Sequence, residues 1–199
     1  MFTCRSFLIR PKVRISDLNH IDPAWFVDVT NAEELKKIAR HVDKKYIDGA
    51  ILLSYFDKEI LTFREWDSLN YLWVYLAVAI DKLLQDGIAS MSFPDAPMEM
   101  DFEEYDRGFI KLHTKWNNKR FFVPEKELLL TLLQGAVNFF DAINKPLDLH
   151  STYALERQYF DDLLQRVYGK FLWWYVSLHP MYFPFVFYKR RAPSADGAL

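Results

Sequence analysis

The stretch that decides the fold is Asp67–Asp86, DSLNYLWVYLAVAIDKLLQD. Apolar residues recur in it at helical spacing and predict one face of a helix: Leu69, Leu72, Trp73, Leu76, Ile80, Leu83 and Leu84. Most of the remaining circumference is apolar too, at Tyr71, Val74, Tyr75 and Val78. A helix of this kind must be covered on more than one side, so we expect it at the centre of the protein, with Asp67 as its N-cap and Gly87 at its end.

The composition is that of one well-packed domain. Of 199 residues, 51% are hydrophobic and 17% aromatic, which supplies a sizeable core, so we predict a single domain over residues 1–190 and a flexible tail over residues 191–199. The net charge of −2 provides no broad field to recruit nucleic acid or an anionic membrane. The single Cys4 fits a reducing compartment, and the N-terminus lacks the apolar segment of a secretory signal, so we expect a cytoplasmic protein.

Antiparallel strands are predicted on both sides of this helix, from alternating apolar residues bounded by turn residues. The predicted strands are residues 5–15, 25–29, 50–56, 59–63, 97–103, 109–116 and 120–123. The other predicted helices are residues 30–48, 124–145 and 152–178. A hairpin turn is expected at Asp57-Lys58, and the sequence FPDAP at residues 93–97 is expected to turn the chain into a three-stranded meander. This order favours an α+β fold, a twisted antiparallel sheet of hairpins and meander packed against apolar helices.

Catalytic and metal-binding motifs are absent from the sequence. There is no HExxH, GxSxG, GxGxxG or phosphate-binding loop. Asp17, His20 and Asp22 could bind a metal, but the missing remote ligands favour a capped loop. Cys4 could pair with a distant histidine, but its strand-like surroundings favour a structural cysteine. We therefore predict a protein without catalytic residues, cofactor or metal.

An acidic row in the meander is the clearest surface feature, formed by Glu99, Asp101 and Glu103 and continued by Glu104. One interpretation makes these four residues a docking site for a basic protein partner. The other is local, because the next strand presents Lys111, His113 and Lys115 directly opposite and can form cross-strand pairs. The local interpretation is favoured, since like-charged rows are usually answered by a neighbouring strand.

The C-terminal segment 171–188 contains no Asp, Glu, Lys or Arg and is followed by three basic residues, 189–191. A membrane span is one interpretation, but Pro180, Pro184 and the aromatic composition oppose it. The favoured interpretation is an aromatic segment that packs on the core or on a protein partner. Its candidate contact residues are Tyr182, Phe183, Phe185 and Phe187.

Four stretches within residues 49–145 form a distinctive series: the hairpin ILLSYFDKEILTFREWD, the helix YLWVYLAVAIDKLL, the turn FPDAP and the helix VPEKELLLTLLQGAVNFFDAI. This series resembles small bacterial immunity proteins of polymorphic toxins. The resemblance implies a cytosolic, non-enzymatic protein that blocks one cognate toxin by direct contact.

Three functional hypotheses follow. The leading one is an immunity-like or antitoxin-like inhibitor that occludes its partner, with a basic toxin domain as the candidate partner. The alternative is a small-molecule-binding domain, or an unrecognised enzyme, with a pocket lined by Trp66, Trp73 and Trp116. The third is a peripheral membrane protein that uses the C-terminal aromatic residues. The sequence leaves the partner's identity and the oligomeric state open.

Overall fold

The computed structural model describes residues 1–106, 108–149 and 152–178, and for residues 173–178 the backbone alone. Across them the chain has the predicted α+β fold, with nine strands and four α-helices. The strands are β1 (Phe2–Ile9), β2 (Phe26–Asp28), β3 (Asp48–Tyr55), β4 (Lys58–Leu61), β5 (Asp67–Ser68), β6 (Ile88–Ser92), β7 (Glu99–Tyr105), β8 (Phe109–Thr114) and β9 (Lys119–Pro124). The helices are α1 (Ala32–Ile38), α2 (Leu69–Asp86), α3 (Glu125–Asn144) and α4 (Ala154–Leu178).

The strands form two antiparallel sheets, where the sequence suggested one. The first sheet has the order β2-β1-β3-β4, with β5 also paired to β3, and the second has the order β6-β7-β8-β9. The hairpin and the meander lie on opposite sides of α2 in the chain, and each pairs only within its own sheet. Strand β6 was missed because Ile88–Ser92 carries small residues, yet Ala89 and Met91 alternate inward and extend the meander by one strand.

Helix α2 buries the side chains that were predicted to lie in the core. Leu72, Trp73, Leu76 and Ile80 are at most 1% exposed. The helix shares this central place with α3, because half of the residues of each helix are buried. The cover of α2 is not complete, since Tyr75 and Val78 are 43% and 53% exposed.

Asp67 has a different role from the predicted helix cap. Ser68 occupies the cap position, and Asp67 is paired with Gly49 in the first sheet, at 2% exposure. The Asp67 carboxylate accepts hydrogen bonds from the backbone N–H groups of Ser68, Asp95 and Ala96. These hydrogen bonds therefore hold the predicted FPDAP turn against the start of α2.

Helix α3 crosses β1 and α2 at Gly135. A Cβ atom there would lie 2.8 Å from the Trp73 ring and 3.0 Å from the Cys4 Sγ. Cys4 packs against the core, and burial raises the pKa of its thiol to about 12. The thiol is therefore protonated at neutral pH and is a poor nucleophile, in keeping with a structural cysteine.

Several predicted boundaries were displaced by local backbone geometry. Strand β1 ends at Ile9, before Pro11 and before Lys12, whose φ of 71° is left-handed. The helix predicted over residues 30–48 is shorter in the structure. Asn31 caps its start as expected, but the helix passes into a 3-10 turn that ends at His41. The first hairpin turns at Phe56-Asp57, one residue earlier than predicted, with Phe56 at a φ of 53°.

Ion pairs connect helix α4 to α2, β7 and α3. Arg166 bonds to Asp81 on α2, and Lys170 bonds to both Glu104 on β7 and Glu125 on α3. None of the helices within the described ranges is both long and apolar enough to cross a membrane. The predicted contact residues Tyr182, Phe183, Phe185 and Phe187, and the predicted tail over residues 191–199, lie outside the described residues.

Replacing Leu76 by alanine should lower the free energy of unfolding by about 2–5 kcal/mol, because the substitution removes buried apolar contacts and leaves a cavity. Chemical denaturation measures this difference, with Val78→Ala on the exposed side of the same helix as the matched control. A loss below about 1 kcal/mol for Leu76→Ala would contradict its place in the core.

Replacing Asp67 by alanine should lower the free energy of unfolding by about 1–3 kcal/mol, because backbone N–H groups of the FPDAP turn lose their acceptor. Asp67→Asn keeps one carboxamide oxygen as acceptor and should lose less. Denaturation of both variants gives the comparison, and amide hydrogen exchange at Asp95 and Ala96 should accelerate in Asp67→Ala. Unchanged exchange at these two amides would refute the role assigned to Asp67.

Candidate partner-binding surface

The second sheet has one face on the core and one face turned away from it. Strands β7 and β8 pair antiparallel in the predicted register, with Phe102 opposite Leu112 and Asp101 opposite His113. The buried face carries Met100, Phe102, Ile110, Leu112 and Thr114. By alternation, the other side, here called the open face, carries Ile88, Ser90, Ser92, Glu99, Asp101, Glu103, Tyr105, Phe109, Lys111, His113, Arg120 and Phe122.

Asp101 lies in a cross-strand row with Ser90 and His113. Its carboxylate accepts a hydrogen bond of 2.7 Å from the Ser90 hydroxyl and lies 3.1 Å from the Lys115 ammonium. Partial burial opposes ionisation of Asp101, but the hydrogen bonds from Ser90 and Lys115 outweigh it and hold the pKa of this carboxyl below its usual value. Asp101 is therefore ionised and partnered at neutral pH.

The other two carboxylates of the acidic row are paired as well. Lys111 lies 2.6 Å from Glu103, and Lys115 lies 2.9 Å from Glu99. The local interpretation thus describes the contacts that the structure contains. Because Lys111 and Lys115 offset much of the charge of the row, the row by itself exerts little long-range attraction on a basic partner.

Glu104 does not share the open face with these residues. Its side chain points towards α4, where one carboxylate oxygen lies 2.5 Å from the Lys170 ammonium. Its backbone N–H donates to the carbonyl of Gly87 at the end of α2. In this structure Glu104 joins β7 to the helices, so its predicted place beside Glu99, Asp101 and Glu103 is corrected.

An exposed aromatic patch continues the open face beyond the charged rows. It consists of Tyr105, Phe109 and Phe122, which are 55%, 41% and 52% exposed. The rings of Tyr105 and Phe122 meet edge to face, with centroids 5.0 Å apart. Sequence reasoning missed this patch, although the signal was present, since Tyr105 and Phe109 simply continue the outward alternation of the two charged strands.

On the open face, Ser90, Asp101 and His113 lie side by side across three strands. The Ser90 hydroxyl donates to the Asp101 carboxylate, whose lowered pKa makes it a weak base. The His113 Nδ1 lies 3.6 Å from Asp101, and its Nε2 contacts the Asn118 side-chain oxygen. These contacts connect neighbouring strands of the second sheet.

The three tryptophans of the alternative hypothesis do not share a pocket. Trp73 is buried, with its indole N–H donating to the Ser6 hydroxyl. Trp66 lines a cavity of about 240 Å³, and Trp116 lines a separate cavity of about 710 Å³. The Trp116 indole N–H donates to the buried Glu65 carboxylate, so this ring also joins the two sheets.

The predicted metal candidates are occupied by local hydrogen bonds. Asp17 contacts the His20 ring at 2.6 Å, and the Asp22 carboxylate accepts from the backbone N–H of Ala24. Within the described ranges, no group of three or more His, Cys, Asp or Glu side chains is placed to hold a metal ion.

The open face is thus a sheet surface with paired charges in its middle and exposed aromatic rings at one end. Its charged residues stabilise the strands, and its rings are the part that remains accessible for contact. No protein-family model, curated protein or solved structure matches this chain.

Proposed function

We propose that this is a non-enzymatic protein-binding protein that contacts its partner through the open face of the second sheet. The observation that carries the proposal is the exposed aromatic patch of Tyr105, Phe109 and Phe122 beside the paired charges. Exposed aromatic clusters of this kind mark interaction sites, because large rigid rings bury much area with little loss of side-chain entropy.

We further propose the immunity-like role, a cytoplasmic bacterial inhibitor that blocks a cognate toxin by covering its active site. The support is the resemblance of residues 49–145, whose four stretches form the hairpin β3–β4, helix α2, the turn held by Asp67, and helix α3. These elements form the rigid frame on which the open face is displayed.

The distribution of charge suggests how the open face binds. Since Glu99, Asp101 and Glu103 already have cationic neighbours, a partner gains little from their charge. Burial of the aromatic patch would then supply most of the binding free energy at this face, with the paired charges forming a polar rim. Binding through this face should therefore depend only weakly on salt.

The double variant Tyr105→Ser and Phe109→Ser should weaken partner binding at least about tenfold, as expected when exposed aromatic hot spots are removed. The partner is first identified by pull-down from the source organism, and dissociation constants are then measured with purified proteins. If the partner is a toxin, co-expression with it should restore growth for the wild type and fail to do so for the double variant.

The matched control is the pair Val78→Ser and Leu155→Ser, which removes two exposed apolar side chains from the helices. Thermal unfolding must show that both double variants are folded. Wild-type affinity of the Tyr105→Ser and Phe109→Ser protein, or an equal loss in the control, would exclude the open face as the binding surface.

A further inference from the structure

A groove of about 480 Å³ separates the first hairpin from the outer edge of β9. One wall is the end of the β3–β4 hairpin, with Tyr55, Phe56 and Lys58. The opposite wall is β9, with Lys119, Arg120 and Phe122. The groove therefore runs along a sheet edge and has aromatic rings and ammonium or guanidinium groups on both sides.

Strand β9 is the last strand of its sheet, pairing on one side with β8. The Glu125 N–H donates to the Gly108 carbonyl, and the register from there places Val123 opposite Ile110. Because bonded pairs alternate in an antiparallel ladder, Val123 and Phe121 point their backbone groups towards β8. Arg120 and Phe122 then point their N–H and C=O groups outward, along the groove.

The groove is basic. Lys58, Lys119 and Arg120 are exposed, and within the described part of the chain none of them forms an ion pair. Asp57 is the one acidic residue that lines the groove. This contrasts with the open face, where each lysine has a carboxylate neighbour. Among the described residues that line the groove, three cations outnumber one carboxylate, so the net charge of the lining is positive.

We propose that this groove binds an extended acidic segment of the partner protein, which adds to the second sheet as a fifth strand beside β9. The inference rests on the proposed function as a protein-binding protein and names the chemistry of its partner. The backbone of the segment bonds to the outward groups of Arg120 and Phe122. Successive side chains of a strand point to opposite sides, so acidic residues meet the cations and apolar residues meet the rings.

Charge also argues against other occupants of the groove. A second copy of this chain would bring the same excess of cations to the groove, so two copies paired edge to edge at β9 would repel each other. The aromatic C-terminal segment of the same chain is followed by the basic residues 189–191, which repel the cations of the groove. Charged residues on an edge strand suppress self-association, and here the same residues attract an acidic strand.

The inference can be tested without knowing the partner, by selecting binders from a displayed library of random linear peptides on the purified full-length protein. The selection should enrich peptides in which acidic residues alternate with apolar ones. Increasing the salt concentration should weaken their binding. On binding, the amides of Arg120 and Phe122 should become protected against hydrogen exchange, because they gain backbone acceptors.

Charge reversal of the groove is the matched experiment. The triple variant Lys58→Glu, Lys119→Glu and Arg120→Glu should bind a selected peptide at least tenfold more weakly than the wild type does. The control, Arg14→Glu, Arg40→Glu and Lys145→Glu, makes the same change of net charge at exposed cations elsewhere and should change affinity less than twofold. The single variant Lys58→Glu lies outside β9, so it keeps the test valid if the triple variant does not fold.

Several results would overturn the inference. The first is a selection that enriches no acidic, strand-like peptide. The second is protection of amides other than those of Arg120 and Phe122. The third is an equal loss of peptide affinity in the control variant. Dimerisation through β9, detected by sedimentation and abolished by the groove variants, would show that a second copy occupies the groove. Failure here is distinct from failure of the proposed function, because the Tyr105→Ser and Phe109→Ser variant should still bind the peptide.

Discussion

The rest of the structure depends on the packing around Trp73. This ring is buried where α2, β1 and α3 meet, with its indole N–H bonded to the Ser6 hydroxyl and its edge against the backbone of Gly135. A glycine is needed at that crossing because a Cβ atom would come within 2.8 Å of the ring. The contact fixes α3 over β1 and so sets the position of the first sheet relative to both central helices.

Two buried carboxylates then place the sheets relative to each other. Glu65, just beyond β4, accepts from the Trp116 indole N–H just beyond β8, while Asp67 holds the FPDAP turn that leads into β7. Each carboxylate also accepts from a neighbour in sequence, Glu65 from Thr62 and Asp67 from Ser68, and together these bonds offset the cost of burial. These links bring the edge of the first hairpin opposite β9 and thereby create the basic groove.

The two candidate surfaces differ in what remains unpaired. On the open face the carboxylates of the acidic row are paired with lysines across the strands, and the aromatic rings are left exposed. In the groove three cations outnumber the one carboxylate of the described lining, and the backbone of an edge strand is accessible. The two surfaces would complement each other. Burial of the aromatic rings on the open face would stabilise a complex, and electrostatic attraction at the groove would speed its formation.

The sequence by itself determined the elements whose physical signal is local. Periodicity alone was sufficient to predict these elements: a 3.6-residue period for α2 and α3, and alternation for β7 and β8. Each element must bury one face whatever it packs against. The same alternation placed Glu99, Asp101 and Glu103 opposite Lys111, His113 and Lys115. Tertiary structure alone decided that there are two sheets, that Asp67 binds a distant turn, and that Glu104 faces α4. It also decided that unpaired cations of β4 and β9 face each other across a groove, since such contacts join residues far apart in the chain and leave no periodic trace in it.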